Sequence, residues 1–303
     1  MEAGLARKPF VGVYAAMLTP RTAHGQVDTD ALAQLVRFLM SKGVSSFALN
    51  GATGEFCLTT PDALRATLRM VKAASEGKGR ILCGAGAAGS ADAVALARIA
   101  EEEGADGLLM PMPYFFRYEQ DDLELFSRTV AASTSLPVLL YNLPQFSSGL
   151  EKETVRRLIQ DVPNIVGIKD SSGSLDILRD LTANGVDACR IVGNDGILAQ
   201  AREEDLCDGI VSGVACALPE LVTRLFESTP GSEEFHQSTR LMKELLSRLE
   251  QFPAPWGVKW AVEARGVSQA TFAQPLSERR AEQGREFIAW FQAWLAGATR
   301  DAA

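Results

Sequence analysis

Ile165-Val166-Gly167-Ile168-Lys169-Asp170 is a short apolar run that ends on two charged residues, with the turn-forming Ser171-Ser172-Gly173 behind it. An apolar run of about four to eight residues bounded by turn signals suits a strand covered on both faces, as in a parallel sheet. Seven further runs of this kind can be read in the chain. They begin near Val11 (VGVYAAM), Ser46 (SFALNG), Arg80 (RILCGAG), Gly107 (GLLMPM), Pro137 (PVLLYNLP), Cys189 (CRIVGND) and Gly209 (GIVSGVA), and successive starts lie about 20 to 35 residues apart. Amphipathic stretches separate them. In residues 60–72, Thr60 reads as an N-cap and Pro61 as the first helical residue; Ser90 to Glu102, followed by Gly104, reads the same way. Eight alternations of strand and helix fit a closed (β/α)8 barrel or a large doubly wound sheet. The count of eight, and the lack of a GxGxxG turn after the first run, favour the barrel.

Past about residue 230 the strand signals cease, and helical stretches follow near 232–251, 256–265 and 277–297. No linker precedes them, so the expected organisation is a barrel over residues 1–230 with a helical extension, 231–303, packed on it. Bulk composition restricts the possibilities further. Of 303 residues, 47% are hydrophobic and 22% charged, enough to build a core, and the formal charge of −8 argues against a nucleic-acid binder. Five scattered cysteines without a CxxC pair suggest neither a disulfide framework nor a zinc site. The segment Met1–Lys8 is short and polar, and no window approaches 18 uninterrupted apolar residues. A cytoplasmic protein with no membrane association is the expectation.

In a barrel of this type, chemistry belongs where the strands end and the βα loops begin. Lys169 stands at such an end, where burial is expected. Burial disfavours a charged ammonium, and a neutral amine is what attack on a carbonyl requires. A lysine that snorkels, or pairs with Asp170 at the rim, is the alternative. Tyr141 ends the preceding run, and its phenol can both donate and accept a proton; a packed core tyrosine is the alternative there. The Gly51-Ala52-Thr53-Gly54-Glu55 loop offers consecutive amides that suit a carboxylate, with the Thr53 hydroxyl as a further donor, though such loops also occur simply as turns. Glu55 reads as a structural acceptor. The Tyr114-Phe115-Phe116 cluster reads equally as substrate contact, hydrophobic plug or subunit contact. His24 and His236 lie away from strand ends, and no convergence of acidic residues and histidine calls for a metal, so amine chemistry is favoured over metal-dependent aldol chemistry.

GATGE at 51–55, YNLP at 141–144 and IKDSSG at 168–173, in this order and at these strand ends, closely resemble the dihydrodipicolinate synthase / N-acetylneuraminate lyase family. The resemblance runs from about Val11 to Lys259-Trp260. It implies a (β/α)8 TIM barrel with a C-terminal helical extension, assembled as a homotetramer of tight dimers or as a dimer. It also implies class I aldolase chemistry without metal or organic cofactor. Lys169 matches the lysine that forms an imine with pyruvate or another 2-keto acid, and Tyr141 the tyrosine that orients and protonates. Gly51, Ala52 and Thr53 match the carboxylate cradle, and Val211 the position whose main-chain carbonyl lines the site.

Departures bear on the second substrate. Dihydrodipicolinate synthases carry a second hydroxyl where Ala52 stands, a tyrosine contributed across the dimer where Phe115 stands, and an arginine shortly after YNxP, where this chain has Gln145-Phe-Ser-Ser-Gly149. Loss of one proton-relay partner typically costs about 10²–10⁴-fold. Sialic acid lyases use an acidic pair after strand seven, of which only Asp195 remains, beside Gly196; Gly213 replaces a helpful serine. By elimination, the first expectation is cleavage of a 2-keto-3-deoxy sugar acid or 4-hydroxy-2-oxo acid to pyruvate and an aldehyde, with Asp195, Ser147, Ser148 and Ser171 available to bind hydroxyls. The alternatives are 4-hydroxy-tetrahydrodipicolinate synthase, a dehydratase using the same imine, and a non-catalytic barrel that binds keto acids.

Overall fold

The computed structural model describes residues 8–300, so most of the polar segment Met1–Lys8 and the final three residues of the chain lie outside the described residues. All eight apolar runs form strands: β1 (Gly12–Ala16), β2 (Ser46–Leu49), β3 (Arg80–Gly84), β4 (Gly107–Pro111), β5 (Val138–Asn142), β6 (Ile165–Asp170), β7 (Cys189–Val192) and β8 (Gly209–Ser212). They pair in sequence order, every pair parallel, and β1 closes on β8 to complete a barrel.

Alternation along the strands sorts side chains between two apolar layers. Phe10, Tyr14, Ala16, Ala48, Leu82, Leu109, Leu139, Val166, Ile191 and Val211 fill the lumen. Their strand neighbours, among them Phe47, Leu49, Cys83, Leu108, Leu140, Ile168 and Ile210, point outward into the larger core beneath the helices. The strands are therefore apolar on both faces, which is why they read as unbroken runs.

A helix follows each strand: α1 (Thr29–Ser41), α2 (Pro61–Ala74), α3 (Ser90–Glu102), α4 (Gln120–Ala131), α5 (Lys152–Asp161), α6 (Asp176–Ala183), α7 (Leu198–Glu203) and α8 (Pro219–Glu227). The Thr60 hydroxyl caps α2 by accepting from the Ala63 amide at 3.2 Å, and Pro61 occupies its first turn. Gly89 is the N-cap of α3, so Ser90 is its first helical residue rather than its cap. Three more helices complete the chain: α9 (Glu233–Leu249), α10 (Trp256–Ala264) and α11 (Glu278–Arg300). Phe235, Met242, Leu245, Trp260, Phe287 and Phe291 from these helices belong to the same apolar core as the outward faces of the strands.

Candidate active site

The β5–β6 pair determines where the lysine points. Val138 pairs with Ile165, but Leu139 pairs with Gly167, so β6 carries one extra residue at this place. Ile165 and Ile168 both face outward while Val166 faces the lumen. Strict alternation from Ile165 would have turned Lys169 outward as well; the bulge resets the parity and turns it inward. Gly167 permits this, because a Cβ there would stand 2.2 Å from the Cys189 carbonyl oxygen. Downstream the register is regular, and Lys169 pairs with Tyr141.

Lys169 is 3% exposed, and its Nζ stands 3.9 Å from the centroid of the Tyr141 ring. The amine therefore lies over the aromatic face of Tyr141. Asp170 does not pair with it. The Asp170 side chain lies on the opposite side of β6, where it accepts from Asn142 Nδ2 at 3.1 Å and from the Ser172 amide at 2.8 Å. Asn142 also accepts from the Leu150 amide at 3.0 Å, fixing the loop that begins at Pro144.

The 51–55 turn leaves β2 through Asn50, whose φ of 53° is left-handed, and ends at Glu55, whose φ of 55° is left-handed too. Asn50 Nδ2 donates to the Gly84 carbonyl at 2.8 Å. Within the turn, the Glu55 amide donates to Ala52 O and the Phe56 amide to Gly51 O. The amides of Ala52, Thr53 and Gly54 make no hydrogen bond among the described residues, which leaves three adjacent donors. Ala52 packs against the lumen cluster that contains Tyr141 and Val211. The Thr53 hydroxyl faces the end of β8, 3.3 Å from where a Cβ on Gly213 would stand.

At the β7 and β8 ends, Asp195 accepts from the Ser212 hydroxyl. Burial holds its carboxyl above the ordinary aspartate range, opposed by that hydrogen bond, by the backbone amides of Val214 and Gly213 and by the nearby charge of Lys169. Ser212 and Asn50 carry no signal in the sequence that marks them as part of this arrangement. Ser171 donates to the Gly193 carbonyl at 2.9 Å, which leaves only its lone pairs for a ligand. Gly193 itself backs onto the lysine, since a Cβ there would lie 2.7 Å from Lys169 Cε.

The strand ends thus bring together Lys169, Tyr141, the Gly51–Thr53 turn, Val211 and Asp195. Other expected contributors stand apart. Ser147 donates to the Leu143 carbonyl at 3.1 Å and Ser148 accepts from the Tyr118 amide at 2.8 Å, so both buried hydroxyls serve the loop rather than the mouth. Gln145 donates to the Ser171 carbonyl at 2.9 Å, bridging the loops after β5 and β6. Phe115 is 85% exposed, against the Phe116 ring, and does not enter the site of its own chain. Of the free cysteines, only Cys57 is exposed, and burial pushes the Cys83 and Cys216 thiols up to about 12. Among the described residues no cluster of three His, Cys, Asp or Glu side chains could hold a metal, and no helix is long and apolar enough to cross a membrane.

An amine buried beside a phenol, with three free amides and a hydroxyl across the mouth, can bind a 2-keto acid by its carboxylate while the amine attacks its carbonyl carbon. Similarity to known proteins points the same way. The profile of the "Dihydrodipicolinate synthetase family" matches residues 9–293. A 4-hydroxy-tetrahydrodipicolinate synthase of Thioalkalivibrio sulfidiphilus is 33% identical over 290 residues, covering 92% of this chain and 97% of the relative. The Bacillus subtilis protein of the same name is 29% identical over 274 residues, with 88% and 93% covered. The solved 4-hydroxy-tetrahydrodipicolinate synthase of Methylacidiphilum fumariolicum SolV superposes with a TM-score of 0.86 at 27% identity, over 96% of this chain and 99% of that one. An N-acetylneuraminate lyase of Mycoplasma synoviae superposes at 0.83 over 94% and 97%; at 19% identity it speaks for the fold alone.

Proposed function

Because this chain belongs to the dihydrodipicolinate synthetase family, we propose that it makes or breaks a carbon–carbon bond next to a pyruvyl imine on Lys169. The observation that carries this is the buried amine of Lys169, turned into the barrel mouth by the β6 bulge and set against Tyr141. Neutral Lys169 adds to the keto carbon of pyruvate and water leaves, giving an imine that is protonated on nitrogen. Loss of a methyl proton moves an electron pair toward that nitrogen and forms an enamine. The enamine carbon attacks an aldehyde, whose oxygen gains a proton, and water then releases the product and the amine. Cleavage is the same sequence reversed. Tyr141 is assigned the proton transfers at the substrate oxygen, and the 52–54 amides with Thr53 the keto-acid carboxylate. Val211 is assigned a lining role. No step calls for a metal or an organic cofactor.

For the second substrate, the curated relatives described above carry the name 4-hydroxy-tetrahydrodipicolinate synthase. They give the synthase, the alternative in the sequence reading, more support than the sugar-acid cleavage placed first there. Cleavage remains the second reading for one reason: neither Ala52 nor Phe115 has a hydroxyl to relay protons. Asp195, and Ser171 as an acceptor, would then hold substrate hydroxyls. Rates of condensation of pyruvate with aspartate semialdehyde, compared with cleavage of 2-keto-3-deoxygluconate and 4-hydroxy-2-oxoglutarate, decide between them. A higher kcat/KM for condensation establishes the synthase, a higher value for cleavage establishes the lyase, and no turnover in any assay overturns the proposal.

We further propose a homo-oligomer, dimer or tetramer, in a cytoplasmic setting, with residues 231–303 as an extension of the barrel. The exposed rings of Phe115, Phe116 and Phe146 beside the mouth support subunit contact there, and the core shared by α9–α11 and the barrel supports the extension.

A further inference from the structure

We infer that the buried ion pair between Glu55 and Lys259 is a positioning device that sets how tightly the 51–55 turn holds the keto acid. The inference rests on the reading of that turn as the carboxylate cradle. The two residues are 204 positions apart, and Lys259 Nζ stands 2.6 Å from Glu55 Oε2. Both side chains are withdrawn from solvent, at 5% exposure for Lys259 and 11% for Glu55. Lys259 lies on α10 and also donates to the Thr271 carbonyl at 2.7 Å, with the Phe272 ring centroid 5.4 Å away. Thr271 in turn accepts at its hydroxyl from the Arg21 amide, at 3.1 Å, in the loop after β1.

The turn therefore has two pinned ends. Asn50 and Glu55 are both non-glycine residues in the left-handed region, a conformation that persists only when surroundings enforce it. Asn50 is held through its amide to the Gly84 carbonyl, and Glu55 through its carboxylate to Lys259. Between these pins lie Ala52, Thr53 and Gly54, whose amides are otherwise unbonded. Aiming three donors at one carboxylate requires the turn to stay in a single conformation, and a charge-assisted pair in a low-dielectric site is a strong constraint. The C-terminal helices thereby reach into the active site without touching the substrate. Glu55 and Lys259 are positioning residues rather than catalytic ones.

The test uses the full chain with Lys259→Met, Glu55→Gln and the double variant, which leaves no charge buried alone. Borohydride trapping of the pyruvyl adduct is followed against pyruvate concentration, with Tm measured alongside. The folded double variant is expected to need about 10- to 100-fold more pyruvate for half-maximal trapping, the penalty for a cradle displaced by a fraction of an ångström to an ångström. Its trapping rate at saturating pyruvate should change far less, and Lys259→Arg should return the half-saturation most of the way. A folded double variant with unchanged half-saturation and a lowered Tm would overturn the inference and leave the pair a structural brace. If the unmodified protein forms no adduct at any pyruvate concentration, the imine reading fails and the positioning role falls with it.

Discussion

Gly193→Ala probes the placement of the lysine with one added carbon. A Cβ at this position would stand 2.7 Å from Lys169 Cε, 2.1 Å from Ser171 Oγ and 3.1 Å from the Asp170 carbonyl oxygen. Ordinary van der Waals contact begins at 3.4 Å, so Cε must retreat by about 0.7 Å and the Ser171 hydroxyl by about 1.3 Å. The hydroxyl moves by losing its bond to the Gly193 carbonyl; the lysine moves by leaving its place over the Tyr141 ring. Overpacking of this size costs about 1–3 kcal/mol, against a typical domain stability of about 5–15 kcal/mol. The variant should therefore fold, with a lowered Tm. Misplacement of a reacting group by about 1 Å costs on the order of 10²-fold in rate, so the loss of chemistry should far exceed the loss of folded protein. The assay is single-turnover formation of the borohydride-trapped pyruvyl adduct at saturating pyruvate, alongside thermal unfolding. A folded Gly193→Ala protein that traps pyruvate at the parent rate would refute the placement of Lys169 against Gly193.

Tyr141→Phe removes the phenol and keeps the ring under the amine; turnover should fall by about 10²–10⁴-fold while slow adduct formation persists, and turnover near the parent rate would remove Tyr141 from the proton path. Ala52→Thr combined with Phe115→Tyr restores two relay hydroxyls and should raise the rate of condensation with aspartate semialdehyde; no gain would show that the missing hydroxyls do not limit that reaction. Asp170 gives a pH prediction. Burial, the largest influence, holds its carboxyl above the ordinary aspartate range against hydrogen bonds from Ser172 and Asn142. A carboxyl raised in the folded state contributes most stability below its unfolded value of about 3.9, and that contribution is lost as pH rises through the folded value. Asp170→Asn removes this dependence, so its Tm relative to the parent should improve as pH is raised above about 4; parallel Tm curves for the two proteins would contradict the assignment.

The eight strands were legible because both faces of each are buried, which leaves continuous apolar runs that turn residues punctuate. The start of α2 was legible from Thr60 and Pro61, since capping and proline effects are local, and the helical stretches expected near 232–251 and 256–265 lie within a few residues of α9 and α10. Strand ends then singled out Lys169, Tyr141 and the 51–55 turn. The parity of β6 was not legible. Nothing in Ile165-Val-Gly-Ile-Lys169 states that Leu139 pairs with Gly167 rather than Val166, and only that register turns the lysine into the lumen. Ser147 and Ser148 looked available because polar residues near a site are ambiguous until their partners are known; Leu143 and Tyr118 are those partners. Glu55 was readable as a structural acceptor, but its donor lies on α10, a long-range pairing that no local pattern encodes. The second substrate was read by subtraction from Ala52, Phe115 and the absent arginine, whereas whole-chain similarity weighs more on the synthase.

Imine formation at Lys169 is read out by reduction with borohydride in the presence of pyruvate, followed by intact-mass measurement and peptide mapping. One stable pyruvyl adduct per chain is expected, on the peptide containing Lys169, and none in Lys169→Ala. An adduct on another lysine, or no adduct in a protein that nevertheless turns over a 2-keto acid, would contradict it.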